Sequence, residues 1–151
     1  MNMTELVTKE LINLNLQGST KDEVMEEMID MLNRTGALKD REMYKKALYE
    51  REMEGSTGIG FGIAIPHGKS EAVKRTSIAF GLKRSGVDWD SLDGEKAKLI
   101  FMIAVPTEQA GNEHLRILQL LSRKLMDDDF RERLLDARKV DDVVQWFAQI
   151  I

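Results

Sequence analysis

The feature that most constrains this chain is a glycine-dense stretch, residues 55–70, which leads through a short apolar run to Pro66-His67-Gly68. Its alternate glycines permit positive φ angles and close approach of another group, while the apolar run predicts a short buried strand. Pro66 has no amide hydrogen for a strand ladder, so we expect that strand to end there. His67 should therefore stand just past the strand, near the main-chain amides of residues 68–70, where an anion would fit.

The length and charge of the chain exclude several classes of protein. A chain of 151 residues matches one domain, and we predict a single domain over residues 1–151. The 22 basic and 26 acidic residues give a net charge of -4 without a basic stripe, which argues against nucleic acid as a partner. The chain has no cysteine, which suits a reducing cytoplasm. Because no secretory signal or membrane-crossing run is present, we expect a cytoplasmic protein without direct membrane insertion.

Capping signals predict two helices before the glycine stretch. Thr20 with Glu23 forms a capping box, and the apolar stripe that follows should continue to about Arg34. Asp40 can cap the second helix, on which Arg51 stands where the apolar face should continue. That predicted inward face consists of Met43, Tyr44, Ala47 and Leu48. A cation thus interrupts the stripe shortly before the glycine stretch.

Apolar runs after the glycine stretch predict two long strands, over residues 76–82 and 98–105, separated by polar turns that include Ser85-Gly86. A helix should follow the second strand, with His114 in its first turn, and Asp141 can cap the last helix. The leucines at helical spacing in the first of these helices are Leu115, Leu118, Leu121 and Leu125. The interleaving of strands and helices favours an α/β sandwich over a helical bundle.

Two nucleotide-binding patterns come close to the glycine stretch and fail. Between Gly62 and Gly68-Lys69-Ser70 lies one residue too many for a P-loop, and Pro66 removes an amide where phosphate would be held. A dinucleotide fingerprint fails because Ile63 stands where its third glycine belongs. A metal site that uses both histidines lacks local ligand spacing.

His67, Arg51 and His114 together supply the parts needed for phosphoryl transfer through a histidine. A neutral imidazole nitrogen is nucleophilic near pH 7, and a hydrogen bond from its other nitrogen fixes the tautomer. The transition state spreads charge over equatorial oxygens, so catalysis requires alignment and nearby cations or N–H donors. Arg51 could supply a planar fork and His114 an N–H group. The alternative for each residue is structural, as a packed imidazole or an arginine that extends to solvent.

The run Gly58-x-Gly60-x-Gly62-x-Ala64-Ile65-Pro66-His67-Gly68-Lys69 resembles a known phosphorylation-site signature. That signature belongs to the fructose/mannitol-type (type 2) IIA proteins of the bacterial phosphoenolpyruvate-dependent sugar phosphotransferase system. The lead-in with Arg51, Glu52 and Thr57, and the later block with Pro106 and His114, also resemble this family. The two blocks occur in the family's order, and the resemblance covers nearly the whole chain.

The resemblance implies that His67 accepts a phosphoryl group from the carrier protein HPr and passes it to a cysteine of a IIB domain on a separate chain. It implies that His114 and Arg51 hold the phosphoryl group. We further expect Thr57 and Gly68 to shape the phosphate loop. The implied fold is an α/β, three-layer-like sandwich, a mixed β-sheet of about five strands flanked by helices, with no metal or organic cofactor. A shallow apolar patch near the loop should dock the partner proteins.

Two other functions stay open at this point. A regulatory IIA-like protein of the nitrogen type would use phosphorylation of the same histidine to switch its binding to regulatory partners. A hydrolase that uses both histidines would need a nucleophile, a base and an orienting group, and the sequence shows no such arrangement.

Overall fold

The fold alternates between helices and strands. The computed structural model of the chain describes residues 3–109 and 112–150, with backbone alone at residues 109 and 112–114. The strands in these ranges are β1 (Ile12–Asn13), β2 (Gly58–Gly60), β3 (Ile63–Ala64), β4 (His67–Ser70), β5 (Ser77–Val87) and β6 (Ala97–Pro106). The α-helices there are α1 (Met3–Leu6), α2 (Lys21–Arg34), α3 (Arg41–Glu54), α4 (Asn112–Leu125), α5 (Asp128–Leu135) and α6 (Val140–Ala148). None of the described helices is long and apolar enough to cross a membrane.

One mixed sheet joins these strands in the order β1-β5-β6-β3-β2. The long strands β5 and β6 are antiparallel, whereas β1 runs parallel to β5, and β3 and β4 run parallel to β6. The strands β3 and β4 follow one another along the same side of β6, where Ile63 pairs with Leu99 and His67 with Ile103. The prediction of a mixed sheet is confirmed, with six strand segments in the described residues where about five were expected.

Side chains of the central strands alternate between two cores, because successive residues of a strand point to opposite faces of the sheet. Phe80 and Phe101 lie on one face, where they pack with residues of α1, α4, α5 and α6. Ala79 and Met102 lie on the other face, with residues of α2 and α3. Phe147 of α6 closes the first core with its ring centroid 5.6 Å from that of Phe80. Helices therefore cover both faces, which confirms the predicted three-layer sandwich.

The helices α2 and α3 begin where the sequence predicts. The hydroxyl of Thr20 accepts a bond of 3.2 Å from the amide of Glu23, and the Glu23 side chain completes the capping box. Asp40 caps α3 by accepting from the amide of Met43 at 3.1 Å. The predicted inward face of α3 is wrong at Met43, which is 47% exposed, because the buried face is narrower and centres on Tyr44 and Leu48.

The predicted turn at Ser85-Gly86 is also wrong. These residues continue β5, which extends to Val87, and Gly86 has a φ of +80°. The register with β6 shifts between Leu82 and Val87, so the glycine accommodates an irregularity inside a strand and does not end it. A glycine with positive φ serves a bulge as well as a turn, and the local sequence does not distinguish the two.

Two details of the C-terminal helices differ from the prediction. Leu115 is 57% exposed, and the inward face of α4 is formed by Ile117, Leu121 and Leu125. The position before α6 is Lys139, which makes no side-chain cap, and Asp141 lies in the first turn. The carboxylate of Asp141 pairs with the ammonium of Lys9 at 2.9 Å instead of capping the helix.

The ion pairs of Glu26 predict a specific response of stability to acid. Its carboxylate lies 2.7 Å from Lys45 Nζ and 2.9 Å from Arg41 Nη2, and these bonds, Lys45 first, lower the pKa of Glu26 against the opposing effect of burial. A lowered folded pKa stabilises the fold above the ordinary carboxyl pKa of about 4.3, and this contribution is lost as pH falls. We expect Glu26→Gln to flatten the pH dependence of the unfolding free energy below about pH 5, measured by urea denaturation.

The change should be modest, since partly exposed ion pairs contribute about 0.2–1 kcal/mol. Glu50→Gln, on the exposed side of α3, is the control and should keep the wild-type slope. An unchanged slope in Glu26→Gln would contradict the assignment.

Candidate functional site

His67 is the first residue of β4, and its half-buried ring is held by the main chain. The Nδ1 atom lies 2.8 Å from the carbonyl oxygen of Ile65. A carbonyl can only accept, so this contact requires a proton on Nδ1 and leaves the lone pair of the neutral ring on Nε2. The tautomer that the sequence argument requires is therefore the one that the geometry favours.

The surroundings of His67 differ from the predicted loop. The strand β3 ends at Ala64, and after Pro66 the chain re-enters the sheet as β4, parallel to β6. Pro66 donates nothing to the ladder, but its carbonyl accepts from the amide of Ile103 at 2.9 Å. In a parallel ladder the amides of a strand point alternately toward its partner and away from it, so the amides of residues 68–70 do not all face β6. That an anion binds near these amides stays a prediction.

Gly68 allows α3 to pack directly on β4. A Cβ atom at this position would lie 3.2 Å from Tyr44 Cε1 and 3.3 Å from the backbone nitrogen of Leu48. The buried hydroxyl of Tyr44 donates to the carbonyl of Ile103 at 2.9 Å, and burial raises the pKa of this phenol, which keeps its proton. Since Ile103 is the strand partner of His67, this bond holds α3 level with the histidine.

Arg51 follows Tyr44 and Leu48 on the same face of α3, because residues three and four apart share a helix face. It stands about 4.5 Å beyond Leu48 along the helix axis, from a rise of 1.5 Å per residue. Its Nη1 donates to the carbonyl of Gly55 at 2.8 Å. A guanidinium has five N–H donors, so this bond leaves capacity for a ligand. The face of α3 that carries Arg51 is thus the face that covers the strand of His67.

Thr57 connects this helix end to the histidine. Its buried hydroxyl donates to the carboxylate of Glu52 and accepts from Trp89 Nε1 at 3.0 Å. Its carbonyl accepts from the amide of Ile65 at 3.0 Å. The carbonyl of Ile65 in turn accepts from His67, so two successive bonds join Thr57 to the imidazole.

His114 is the third residue of α4 and lies in the first turn, as predicted. Its side chain falls outside the described part of the structure. The structure therefore brings together the backbone positions of His67, Gly68, Arg51 and Thr57, and it gives only the helix position of His114.

Two contributors to the site were not predicted from the sequence. The sequence predicts Tyr44 on the inward face of its helix, but it does not predict the hydroxyl bond to Ile103, which joins residues 59 positions apart. Trp89 is fully buried although it lies in a polar, turn-rich connection. A tryptophan in a polar connection could have indicated a buried anchor, because loops are mostly exposed and a buried indole N–H usually has a hydrogen-bond partner.

The α/β/α sandwich and the tautomer-fixed imidazole point to the class of phosphotransferases that work through histidine. The family model described as "Phosphoenolpyruvate-dependent sugar phosphotransferase system, EIIA 2" matches residues 5–150. Because this match covers nearly all of the sequence, the chain belongs to that family.

Two curated relatives are similar over the whole chain. The PTS system fructose-specific EIIABC component of Bacillus subtilis is 48% identical over 99% of this chain, which spans only 23% of that longer protein. The PTS system fructose-specific EIIA component of Haloferax volcanii is 42% identical over 100% of this chain and 99% of its own length.

Two solved structures share the fold. The nitrogen regulatory protein IIA-Ntr from Neisseria meningitidis is 35% identical, with a TM-score of 0.86 over 93% of this chain and 95% of its own. The enzyme IIAMTL of Escherichia coli, solved in complex with phosphorylated enzyme IIBMTL, is 30% identical, with a TM-score of 0.80 over 95% of this chain and 99% of its own.

Proposed function

We propose that this chain is a cytoplasmic phosphocarrier that accepts a phosphoryl group from phospho-HPr on Nε2 of His67. It passes the group to a cysteine of a IIB domain on a separate chain, for uptake and phosphorylation of a sugar. The bond between Nδ1 of His67 and the carbonyl of Ile65 carries the proposal, because it gives Nε2 the lone pair that a nucleophile needs. The fructose-specific names of two relatives support fructose as the sugar.

The transfer is a displacement at phosphorus between two imidazoles. The lone pair of His67 Nε2 forms a new N–P bond while the N–P bond of the donor breaks, and the electron pair returns to the donor ring. Positive charge develops on the His67 ring, and its Nδ1–H bond to Ile65 stabilises that charge. In the second half the thiolate sulfur of the IIB cysteine attacks phosphorus, and the electron pair returns to His67 Nε2.

Arg51 and His114 stabilise the phosphoryl oxygens in this proposal. The guanidinium of Arg51 offers two parallel donors to two oxygens, a geometry that a single ammonium does not provide. An N–H group of His114, at the start of α4, would donate to a third oxygen. Gly68 keeps α3 close to β4, and Thr57 holds the chain before the histidine, so both act on position and not on phosphorus.

Two exposed apolar side chains support docking of protein partners. Met53 is 86% exposed at the end of α3, two residues after Arg51. Phe61 is 60% exposed in the turn between β2 and β3, at the Leu99 end of the pairing with β6, whereas His67 pairs at the Ile103 end. Phe61 has a φ of +59°, which costs a bulky residue about 1–2 kcal/mol. Its amide donates to Asp93 at 3.0 Å, and Arg131 lies 5.0 Å from the ring centroid. An aromatic kept exposed in a costly conformation is typical of a contact surface.

Reconstitution with phosphoenolpyruvate, enzyme I and HPr tests the proposed function. We expect one phosphoryl group per chain by intact mass, labile in acid and stable in base, as a phosphoramidate should be. Omission of HPr should prevent labelling, because the donor is a protein. An acid-stable phosphate, or no labelling in the complete mixture, would overturn the proposal.

A regulatory function is the second candidate, and the similarity to nitrogen regulatory protein IIA-Ntr favours it. The two functions differ in the fate of the phosphoryl group. Addition of a fructose-specific IIB domain to the labelled chain should discharge the label if the chain serves transport. Label that returns only to HPr would instead support the regulatory function.

A further inference from the structure

An ion pair between α2 and α3 lies next to the proposed site and is not explained by α2 itself. Lys21 Nζ is 2.7 Å from Glu52 Oε1, and the two side chains are 27% and 6% exposed. Lys21 is the first residue of α2, where a positive charge is unfavourable against the helix dipole. The ammonium also lies 5.4 Å from the ring centroid of Trp89. Lys21 therefore stabilises Glu52 and Trp89 through these contacts, although its charge is unfavourable for its own helix.

The nearly buried carboxylate of Glu52 is the centre of a directional hydrogen-bond chain. The indole N–H of Trp89 donates to the hydroxyl of Thr57, whose proton is then available to the Glu52 carboxylate. The amide of Thr57 also points to Glu52 Oε1, at 3.4 Å. An ionised carboxylate can only accept, so it fixes the direction of every bond in this chain. Low exposure strengthens such charge-assisted bonds.

This series of hydrogen bonds leads through the backbone of Thr57 to the carbonyl oxygen of Ile65, the atom that sets the tautomer of His67. Once the Thr57 side chain is held, its carbonyl is placed to accept from the amide of Ile65. The same residue, Ile65, presents the carbonyl that accepts from His67 Nδ1. A shift of Thr57 would therefore move the acceptor on which the Nδ1–H form depends.

We propose that Glu52 is a positioning residue: acting through Thr57, it holds the Ile65 carbonyl where that carbonyl fixes the Nδ1–H tautomer of His67. The effect on phosphoryl transfer rests on the proposed function, whereas the effect on the tautomer does not. Glu52 touches neither the reacting nitrogen nor phosphorus in this arrangement.

The substitution Glu52→Gln tests the proposal, because it keeps the size of the side chain and removes its charge. We expect the imidazole ¹⁵N shifts of His67 to move toward a mixture of the Nδ1–H and Nε2–H forms. We expect the rate of labelling by phospho-HPr to fall about tenfold, as for other losses of alignment. Glu52→Asp, which keeps the charge, should recover part of both effects.

Glu26→Gln is the matched control, because Glu26 also bridges α2 and α3. Its carboxylate pairs with Arg41 and Lys45, which lie at least seven residues before Glu52 on α3 and so about 10 Å or more nearer the N-terminus of that helix. This variant should lose stability in urea and keep the wild-type tautomer, with a labelling rate within about twofold of wild type.

The outcomes separate positioning from general stabilisation. Wild-type tautomer and rate in Glu52→Gln, with only a loss of stability, would overturn the proposal. If wild type is not labelled at all, the proposed function fails, and the ¹⁵N shifts alone decide the role of Glu52. If Glu52→Gln does not fold, Thr57→Val takes its place, since it cuts the same chain and leaves the pair of Lys21 and Glu52 intact. A wild-type tautomer in that variant would equally overturn the proposal.

Discussion

An alanine at position 67 is expected to abolish phosphoryl labelling of the chain by phosphoenolpyruvate, enzyme I and HPr. Without the imidazole there is no Nε2 lone pair to form the N–P bond. The other residues of the site can position a phosphoryl group, but they cannot accept it. The fold should persist, because β4 pairs with β6 through its backbone and α3 packs on Gly68, not on the histidine ring. Intact mass after reconstitution measures the loss, and urea denaturation checks the fold.

His114→Ala distinguishes the acceptor from a residue that stabilises the transferred group. Loss of one donor to the transition state typically slows a reaction by about 10²-fold, so this variant should label slowly and still reach one phosphoryl group per chain. Full labelling of His67→Ala, together with loss of labelling in His114→Ala, would move the acceptor to the second histidine. Slow labelling of both variants would mean that neither histidine alone carries the group.

Elements with local signals were predictable from the sequence, and those that depend on distant partners were not. The capping box of Thr20 and the cap of Asp40 act within one turn, and both helices begin as predicted. The strands β5 and β6 follow from long apolar runs. The strand β4 was missed because His-Gly-Lys-Ser has little strand propensity, and its pairing is supplied by β6, which is more than 30 residues away.

The hairpin of β2 and β3 was missed for a different reason. Its first strand is Gly58–Gly60, and glycine weakens a strand pattern. Its turn places Phe61 and Gly62 at φ angles of +59° and +77°. Two successive positive φ angles are the mark of a type I′ turn, which usually contains Asn-Gly or Asp-Gly. Phenylalanine in the first of these positions hides the hairpin from sequence analysis.

The residues of the candidate site also differ in whether a local sequence pattern points to them. Arg51 is singled out by the sequence because it interrupts an apolar stripe, and in the structure this stripe covers the strand of His67; its contact with a phosphoryl group stays a prediction. The chain from Trp89 through Thr57 to Glu52 was not identifiable, since its indole bond joins residues 32 positions apart. The side chains proposed to contact the phosphoryl group follow local patterns, whereas the residues that hold their positions are brought together by the fold.

Trp89→Ala is expected to cause the largest loss of stability among single side-chain truncations near the site. The ring is fully buried, and truncation of a buried Trp typically costs about 3–5 kcal/mol. Such a loss is large beside the roughly 5–15 kcal/mol that stabilises a typical domain. It would also remove the donor to Thr57 and the ring that faces Lys21. Urea denaturation followed by far-UV circular dichroism measures the change without depending on the deleted fluorophore.

The second tryptophan provides the matched control. Trp146 on α6 is only half-buried, with the guanidinium of Arg133 5.8 Å from its ring centroid, so Trp146→Ala should cost about 1 kcal/mol. Trp89→Phe should keep most of the packing and lose mainly the indole bond to Thr57, at about 1–2 kcal/mol. Equal losses in the two alanine variants would mean that the buried ring does not anchor the chain before His67. A loss in Trp89→Phe as large as that in Trp89→Ala would assign the whole effect to the hydrogen bond, and the site would then depend on one buried donor more than on apolar packing.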